Sequence, residues 1–452
     1  MNYNPLPSQA VCFDKLINND RFGLFVRMGV GKTAPTLTAI EQLMNSYFKV
    51  KRVLVVAPKR VALLTWPEEI AKWSHLRRLT YTVLHGSKKD SLIEDTHRTD
   101  ITIINYEGLQ WMWNNKSKFK EYDLIVFDES TYIKNWSGRT KLSHKIAKQI
   151  PHVYLLTGAP RPKGLMDLYG QIYALDRGKR LGYNITSFRN EFFYSPTEHV
   201  YIPQADAKER VLERLADITY VVGNEDTTGI PIQNDVVVRF DVPTNVLVDI
   251  QNFKKKSVLE LDYGTMFKSD NPQSKAQKLK QMASGFIYDY DGTTIILHEA
   301  RLQALRDLIQ RIGKNVLVAI NYQTEVDMIR EFFGYKIPCL NSDTPEKEGT
   351  KHIQDWKKGK LPVFLVHPRS MSHGLNMQSG GNDIIWYSLT NDLEVYEQLI
   401  GRLRRRGQIE SVVNNYILTA NETIDELTLK LIQDKAESQE DFLKRLKEWK
   451  KL

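Results

Sequence analysis

At 452 residues, 42% hydrophobic and 26% charged, the chain has the composition of a soluble globular protein with room for two or three domains. Its formal charge of +9 fits a polyanionic partner without requiring one. Two cysteines, Cys12 and Cys339, and no Cys-x-x-Cys argue against a disulfide scaffold or a zinc site, and no apolar run approaches the ~20 residues that span a bilayer. A reducing, cytoplasmic setting with no membrane contact is the expectation, and the N-terminus lacks the pattern of a signal peptide.

The first strand, Phe22 to Val26, runs into Arg27-Met28-Gly29-Val30-Gly31-Lys32-Thr33 and then into a helical run from Ala34 to Tyr47. A glycine-rich turn at a helix N-terminus aims backbone N–H groups at one point, where the helix dipole favours negative charge. In this pattern Lys32 reaches the β- and γ-phosphates and the Thr33 hydroxyl holds Mg²⁺. The same letters also satisfy Gly-x-Gly-x-x-Ala through Gly29, Gly31 and Ala34, a dinucleotide fingerprint. That alternative needs an acid about 20 residues further on, whereas the next strand, Val53 to Val56, ends in Ala57-Pro58-Lys59. A triphosphate with its metal needs an acid ending another strand, and Leu124-Ile125-Val126-Phe127-Asp128-Glu129 supplies it. Asp128 is then a magnesium ligand, and Glu129 the group that polarises the attacking water.

Short β-branched runs continue in two sets. Val53–Ala57, Ile101–Asn105, Leu124–Phe127 and Val153–Leu156 form the first; Val316–Ile320, Val363–Val366, Ile384–Tyr387 and Val412–Leu418 form the second. They are continuously apolar and alternate with helical patterns, which predicts parallel sheets covered on both faces, an α/β architecture in two lobes. The boundary is placed at Gly229-Ile230-Pro231, giving lobes 1–230 and 231–452. The first carries a polar helical insertion near 170–228; the second carries a helical region at 245–290, with the basic residues Lys275, Lys278 and Lys280. In the tail, a helical brace over 421–452, Ile424, Leu427 and Leu431 share one face, and Ser438 with Asp441 marks the start of a last helix.

The second anion-facing cluster is Gln398-Leu399-Ile400-Gly401-Arg402-Leu403-Arg404-Arg405-Arg406-Gly407-Gln408. Arg402 and Arg405 stand three apart, the spacing of one helix face, and are candidates to reach across a cleft to a bound nucleotide.

Taken in order, these blocks resemble superfamily-two helicases and translocases, most closely the Swi/Snf-like branch in its compact phage or bacterial form. Leu6-Pro7-Ser8-Gln9 is similar to the Q motif, Met28 to Thr33 to motif I, and Val55 to Pro58 with Thr65-Trp66-Pro67-Glu68-Glu69 to the Ia region. Ile104 to Glu107 is similar to motif Ib, Asp128-Glu129-Ser130-Thr131 to motif II, and Leu156-Thr157-Gly158-Ala159-Pro160 to motif III. Val316–Tyr322 is similar to motif IV, Gly374-Leu375-Asn376 to the end of motif V, and Gln398 to Gln408 to motif VI. Three departures stand out: Val26-Arg27 where an acidic pair usually precedes Met28, Ser-Thr where motif II ends in Ala-His, and a poorly fitting stretch from His367 to His373. The second removes the family's histidine link between motifs II and III.

The resemblance implies two RecA-like lobes with ATP in the cleft between them and nucleic acid across both. It implies ATP contacts from Gln9 on the adenine edge, from Met28, Gly29, Val30, Gly31, Lys32, Thr33 and Ala34, and from Gly374, Arg402 and Arg405. Thr157, Gly158 and Gln398 would couple the γ-phosphate to the bound strand. Pro58, Lys59, Tyr106, Asn321, Tyr322, Ser372 and His373 would contact the nucleic-acid backbone. The expected activity is an ATP- and Mg²⁺-dependent DNA translocase or helicase with little sequence preference, one that remodels duplexes or displaces bound proteins. An RNA-dependent ATPase and a nucleotide-gated DNA-binding module without turnover are the alternatives.

Overall fold

In the computed structural model the described residues are 1–27, 29–115, 119–158, 160–161, 164–198, 200–222, 229–256, 258–260, 266–268, 271–289, 291–371 and 376–449. Among them the chain forms two compact units. One gathers those of Met1–Thr228 with those of Ala436–Leu452; the other gathers those of Gly229–Ser372 and Asn376–Lys435. No helix among the described residues is long and apolar enough to cross a membrane.

The first unit is built on a seven-stranded, wholly parallel sheet. Its spatial order is Tyr81–Leu84, Ile101–Asn105, Val53–Ala57, Leu124–Asp128, His152–Thr157, Arg21–Val26 and Thr219–Val222. Val53–Ala57 and Leu124–Asp128 are buried at every position, as strands covered on both faces must be. The expected 170–228 insertion holds the helices Ile185–Phe192 and Ala207–Leu215 and then returns Thr219–Val222 to the sheet edge. Phe188, Phe192, Val211 and Leu212 from these helices are buried in the same core as the sheet.

The second unit has a six-stranded parallel sheet, ordered Ile232–Phe240, Val412–Ala420, Asp383–Trp386, Val316–Ala319, Val363–Val366 and Cys339–Leu340. Ile232–Phe240 escaped the periodicity reading because it is an edge strand with no fully buried position. Its hydrophobic core gathers Leu302, Leu305, Val316, Val318, Leu365 and Ile385, and a charged group is buried beside it. Arg301 is 1% exposed and donates to the carbonyls of Ala283 (3.2 and 3.1 Å), Leu418 (3.2 Å) and Tyr387, while pairing with Asp425. Its guanidinium also lies 5.0 Å from the Phe240 ring centroid.

The tail is one continuous helix, Ile424–Trp449, so Ser438 and Asp441 do not open a new one. Ser438 instead accepts from Arg161 Nη2 at 2.7 Å, and Asp441 pairs with Lys208. The buried face also differs from the expected one. Leu427 and Leu431 are 57% and 40% exposed, whereas Thr428, Leu429 and Ile432 turn inward. Ala436 onward belongs to the first unit, where Phe442 and Leu443 enter its core, although the sequence reading had placed the whole tail in the second.

Two buried histidines make stability pH-dependent. His144 Nε2 lies 2.7 Å from the Gly170 carbonyl and His298 Nε2 lies 3.0 Å from that of Met282, so each Nε2 carries the hydrogen, and neither Nδ1 has a partner. Burial holds both pKa values down to about 4. The folded state therefore refuses a proton that the unfolded chain takes up below about 6.5. Stability should fall as pH drops from 6.5 towards 4, by about 3 kcal/mol per histidine. Urea midpoints measured across that window check the slope, and His144→Gln should flatten it.

Candidate active site

The strand Arg21–Val26 delivers the chain to a turn in which Gly29 and Gly31 both have φ of +88°, a region where a side chain is strained. The helix Thr33–Asn45 begins immediately after Lys32, so its first free N–H groups face the turn. Met28 lies outside the described residues. Val30 and Ala34 are buried in the base of the loop. Gln9 is 6% exposed; its amide donates to the carbonyls of Val30 (2.8 Å) and Gly31 (3.3 Å) and accepts from the Leu6 N–H (3.0 Å). The side chain expected to read adenine therefore clamps the glycine turn before Lys32.

Lys32 Nζ donates to Glu129 Oε1 at 2.9 Å, both side chains being about one-tenth exposed. Two segments 97 residues apart thus converge on one point. Asp128, at the end of its strand, is 3% exposed. Its Oδ2 accepts from Trp66 Nε1 at 2.9 Å and its Oδ1 from the Glu129 N–H at 3.1 Å. Burial pushes its pKa up, with the Lys32 charge pulling the other way. Glu129 sits in the left-handed region at φ 54°, ψ 61°, a conformation that costs a non-glycine residue on the order of 1–3 kcal/mol.

Tyr106 holds that turn. It is 2% exposed, and its hydroxyl donates to the carbonyls of Asp128 (2.9 Å) and Glu129 (3.3 Å). This corrects the expectation that Tyr106 touches nucleic acid: a ring buried beneath the acidic pair supports the carboxylates from within. Pro58 is buried as well, whereas Lys59 stands exposed beyond the strand end. Thr157 is fully buried at the end of its strand, with Gly158 following.

In the second unit, Gln398 and Arg402 lie on the helix Leu393–Leu403, 2% and 8% exposed. Arg405 lies beyond the end of that helix, so the two arginines do not share its face. The helix stops at Leu403, where Arg404 leaves the helical region (φ −80°, ψ 78°), and Gln408 Nε2 donates to the Leu403 carbonyl (3.4 Å) and to that of Gly381 (3.0 Å). Ser372, His373 and Gly374 lie outside the described residues. Asn321 and Tyr322 border a cavity of about 200 Å³ that Lys280, Ser284, Ser388, Thr390, Asn391 and Asp425 also line. Burial lowers the Lys280 pKa to about 8. The sequence reading named Lys280 only within a basic tract and Trp66 only within the Ia-like block, and did not single out Gln171; the contacts of Trp66 with Asp128 and of Gln171 with Ser130 each span more than 40 residues.

The residues fit a nucleoside triphosphate with its metal. Two left-handed glycines leave the turn open to an anion, and a lysine stands beside it. Thr33 Oγ1 and Asp128 are hard oxygen donors suited to Mg²⁺. Among the described residues no group of three or more His, Cys, Asp or Glu could hold a metal ion by itself.

Comparison with known proteins agrees with this chemistry. Residues 18–220 match the SNF2-related domain and residues 300–407 the helicase conserved C-terminal domain. The chain is 32% identical to protein p41 of Acyrthosiphon pisum secondary endosymbiont phage 1, over 98% of this chain and 99% of that one. It is 25% identical to the SWI/SNF-related matrix-associated actin-dependent regulator of chromatin subfamily A-like protein 1 of Xenopus tropicalis. That alignment takes in 90% of this chain but only 41% of the frog protein. A solved Sulfolobus solfataricus SWI2/SNF2 ATPase core in complex with dsDNA aligns over 99% of this chain and 95% of that chain, at 19% identity and a TM-score of 0.45.

A glycine turn and lysine beside an Asp-Glu pair on a parallel sheet, with matches to the SNF2-related and helicase conserved C-terminal domains, place the chain in the helicase-type ATPase superfamily. Within that class the chain belongs to the Swi/Snf-like branch of superfamily two, with two α/β RecA-like lobes.

Proposed function

We propose that this protein hydrolyses ATP and uses the cycle to move along DNA, remodelling duplexes or displacing what is bound to them. The observation that carries this reading is the Lys32–Glu129 pair at 2.9 Å, which joins the lysine after the glycine turn to a residue in a left-handed conformation next to the buried Asp128. Lys32 binds the β- and γ-phosphates, Thr33 and Asp128 hold Mg²⁺, and Glu129 orients and deprotonates the attacking water. Mg²⁺, when bound, neutralises charge on the phosphates. Arg402 and Arg405 offset the charge that develops in transfer, and Thr157, Gly158 and Gln398 link turnover to the strand.

DNA contacts are proposed at Lys59 on the first unit and, on the second, at Asn321, Tyr322 and Lys280 around its cavity. Phosphate contacts carry no sequence information, so binding should be general and salt-sensitive. Lys280→Ala should weaken binding similarly across sequences and reduce the slope of log K against log salt by about 1, measured by fluorescence anisotropy. An unchanged slope removes Lys280 from the face.

The functional reading is tested by ATPase rates with duplex, single-stranded, forked and RNA ligands. Stimulation by DNA supports it, stimulation by RNA alone replaces it with an RNA-dependent ATPase, and no response to any of them removes the motor.

A further inference from the structure

Motif II here ends in Ser130-Thr131, and Ser130 is fully buried. Its hydroxyl donates to Gln171 Oε1 at 2.7 Å, on the helix Met166–Asp176. From the other end of the same amide, Gln171 Nε2 donates to the Pro160 carbonyl at 2.6 Å and to the Asp167 carbonyl at 2.8 Å. The amide orientation is unambiguous. Two carbonyls accept and never donate, so nitrogen must face them, and oxygen is left for the serine. Gln171 is itself fully buried, so a lost bond is not replaced by water.

A second observation shows that the helix is built to sit there. A Cβ at Gly170 would come within 2.2 Å of the Ile133 carbonyl oxygen and 2.9 Å of that of Lys134. Only glycine lets the helix backbone rest against the turn Ser130–Ile133, and that close approach brings the next residue, Gln171, within reach of Ser130.

We propose that Gln171 is a positioning residue that ties the turn bearing Asp128 and Glu129 to the loop after Thr157-Gly158. A change at the carboxylates is passed through Ser130 and one rigid amide to the Pro160 carbonyl. No other side chain of this size does both jobs. Glutamate turns an oxygen towards two carbonyls, asparagine is a methylene short, and methionine keeps the volume without either bond. This inference rests on the proposed DNA-coupled ATPase.

The test compares Gln171→Met with wild type in ATP affinity, basal turnover and DNA-stimulated turnover, with unfolding midpoints alongside. Affinity and basal rate should stay within about twofold while the DNA-stimulated increment falls about tenfold. Ser130→Ala should do the same, and the double variant should be no worse than either single one. An undiminished stimulation factor, a multiplicative double variant, or basal and stimulated rates falling together with the unfolding midpoint each overturn the proposal. If wild type hydrolyses ATP with DNA but Gln171→Met matches it, this inference alone fails. A wild type inert to DNA removes the functional reading with it.

Discussion

Glu129→Gln should bind ATP with near wild-type affinity and turn it over about 10²- to 10⁴-fold more slowly. The amide oxygen can still accept from Lys32, which now donates to Oε1 at 2.9 Å, so the glycine turn keeps its shape. What the amide loses is the capacity to take a proton from water. The left-handed backbone at residue 129 is held independently, by the two hydrogen bonds from Tyr106 and the 4.9 Å stack of Tyr106 on Tyr132. The substitution therefore isolates chemistry from architecture. Single-turnover hydrolysis and binding of a fluorescent ATP analogue, measured on the same preparation, give the two numbers. A Gln variant that hydrolyses at the wild-type rate would transfer the role of base elsewhere. If affinity collapsed along with the rate, the carboxylate's main work would be to hold Lys32.

Asp425→Ala should be the most damaging single change outside the active site, costing the second unit about 3–5 kcal/mol. It leaves the Arg301 guanidinium, 1% exposed, with carbonyl acceptors but without its directly paired carboxylate, and it strips the Ala420 N–H of its acceptor at 3.0 Å. Against typical net stabilities of about 5–15 kcal/mol this is a large fraction. Replacing both partners at once, Arg301→Met with Asp425→Leu, removes charge and counter-charge together and should cost less than the single change. Urea unfolding followed by hydrogen exchange in Val412–Ala420 reports on that unit separately. A cost under about 1 kcal/mol for Asp425→Ala would mean that water reaches the guanidinium.

Much of the architecture was legible because it rests on local patterns. The continuously apolar runs at Val53–Ala57 and Leu124–Phe127 read as buried parallel strands and are buried throughout. The glycine turn before Lys32 read as an anion cradle, and its two glycines take backbone angles that side chains rarely adopt. Failures came where a local rule met a distant partner. Arg402 and Arg405 have helical spacing, but the helix stops at Leu403. The apolar stripe of Ile424, Leu427 and Leu431 has helical spacing too, yet packing selects the face of Thr428, Leu429 and Ile432. Tyr106 sits in a motif associated with nucleic acid, and only its 2% exposure shows that it serves the carboxylates.

Periodicity and short motifs report on neighbours within a few positions, because helix and strand geometry repeat over that range. They were enough to predict the glycine turn, the lysine and the acidic pair as a set and to pick out the inner strands of both sheets, but not the edge strands Tyr81–Leu84, Thr219–Val222, Ile232–Phe240 and Cys339–Leu340. The partners of those residues were settled only by packing: Trp66 on Asp128, Gln171 between Ser130 and Pro160, and Arg301 beneath the second sheet. Each of these contacts spans more than ten residues of chain. Which buried donor meets which acceptor over such distances depends on how helices and strands pack, and no local stretch of sequence carries that information.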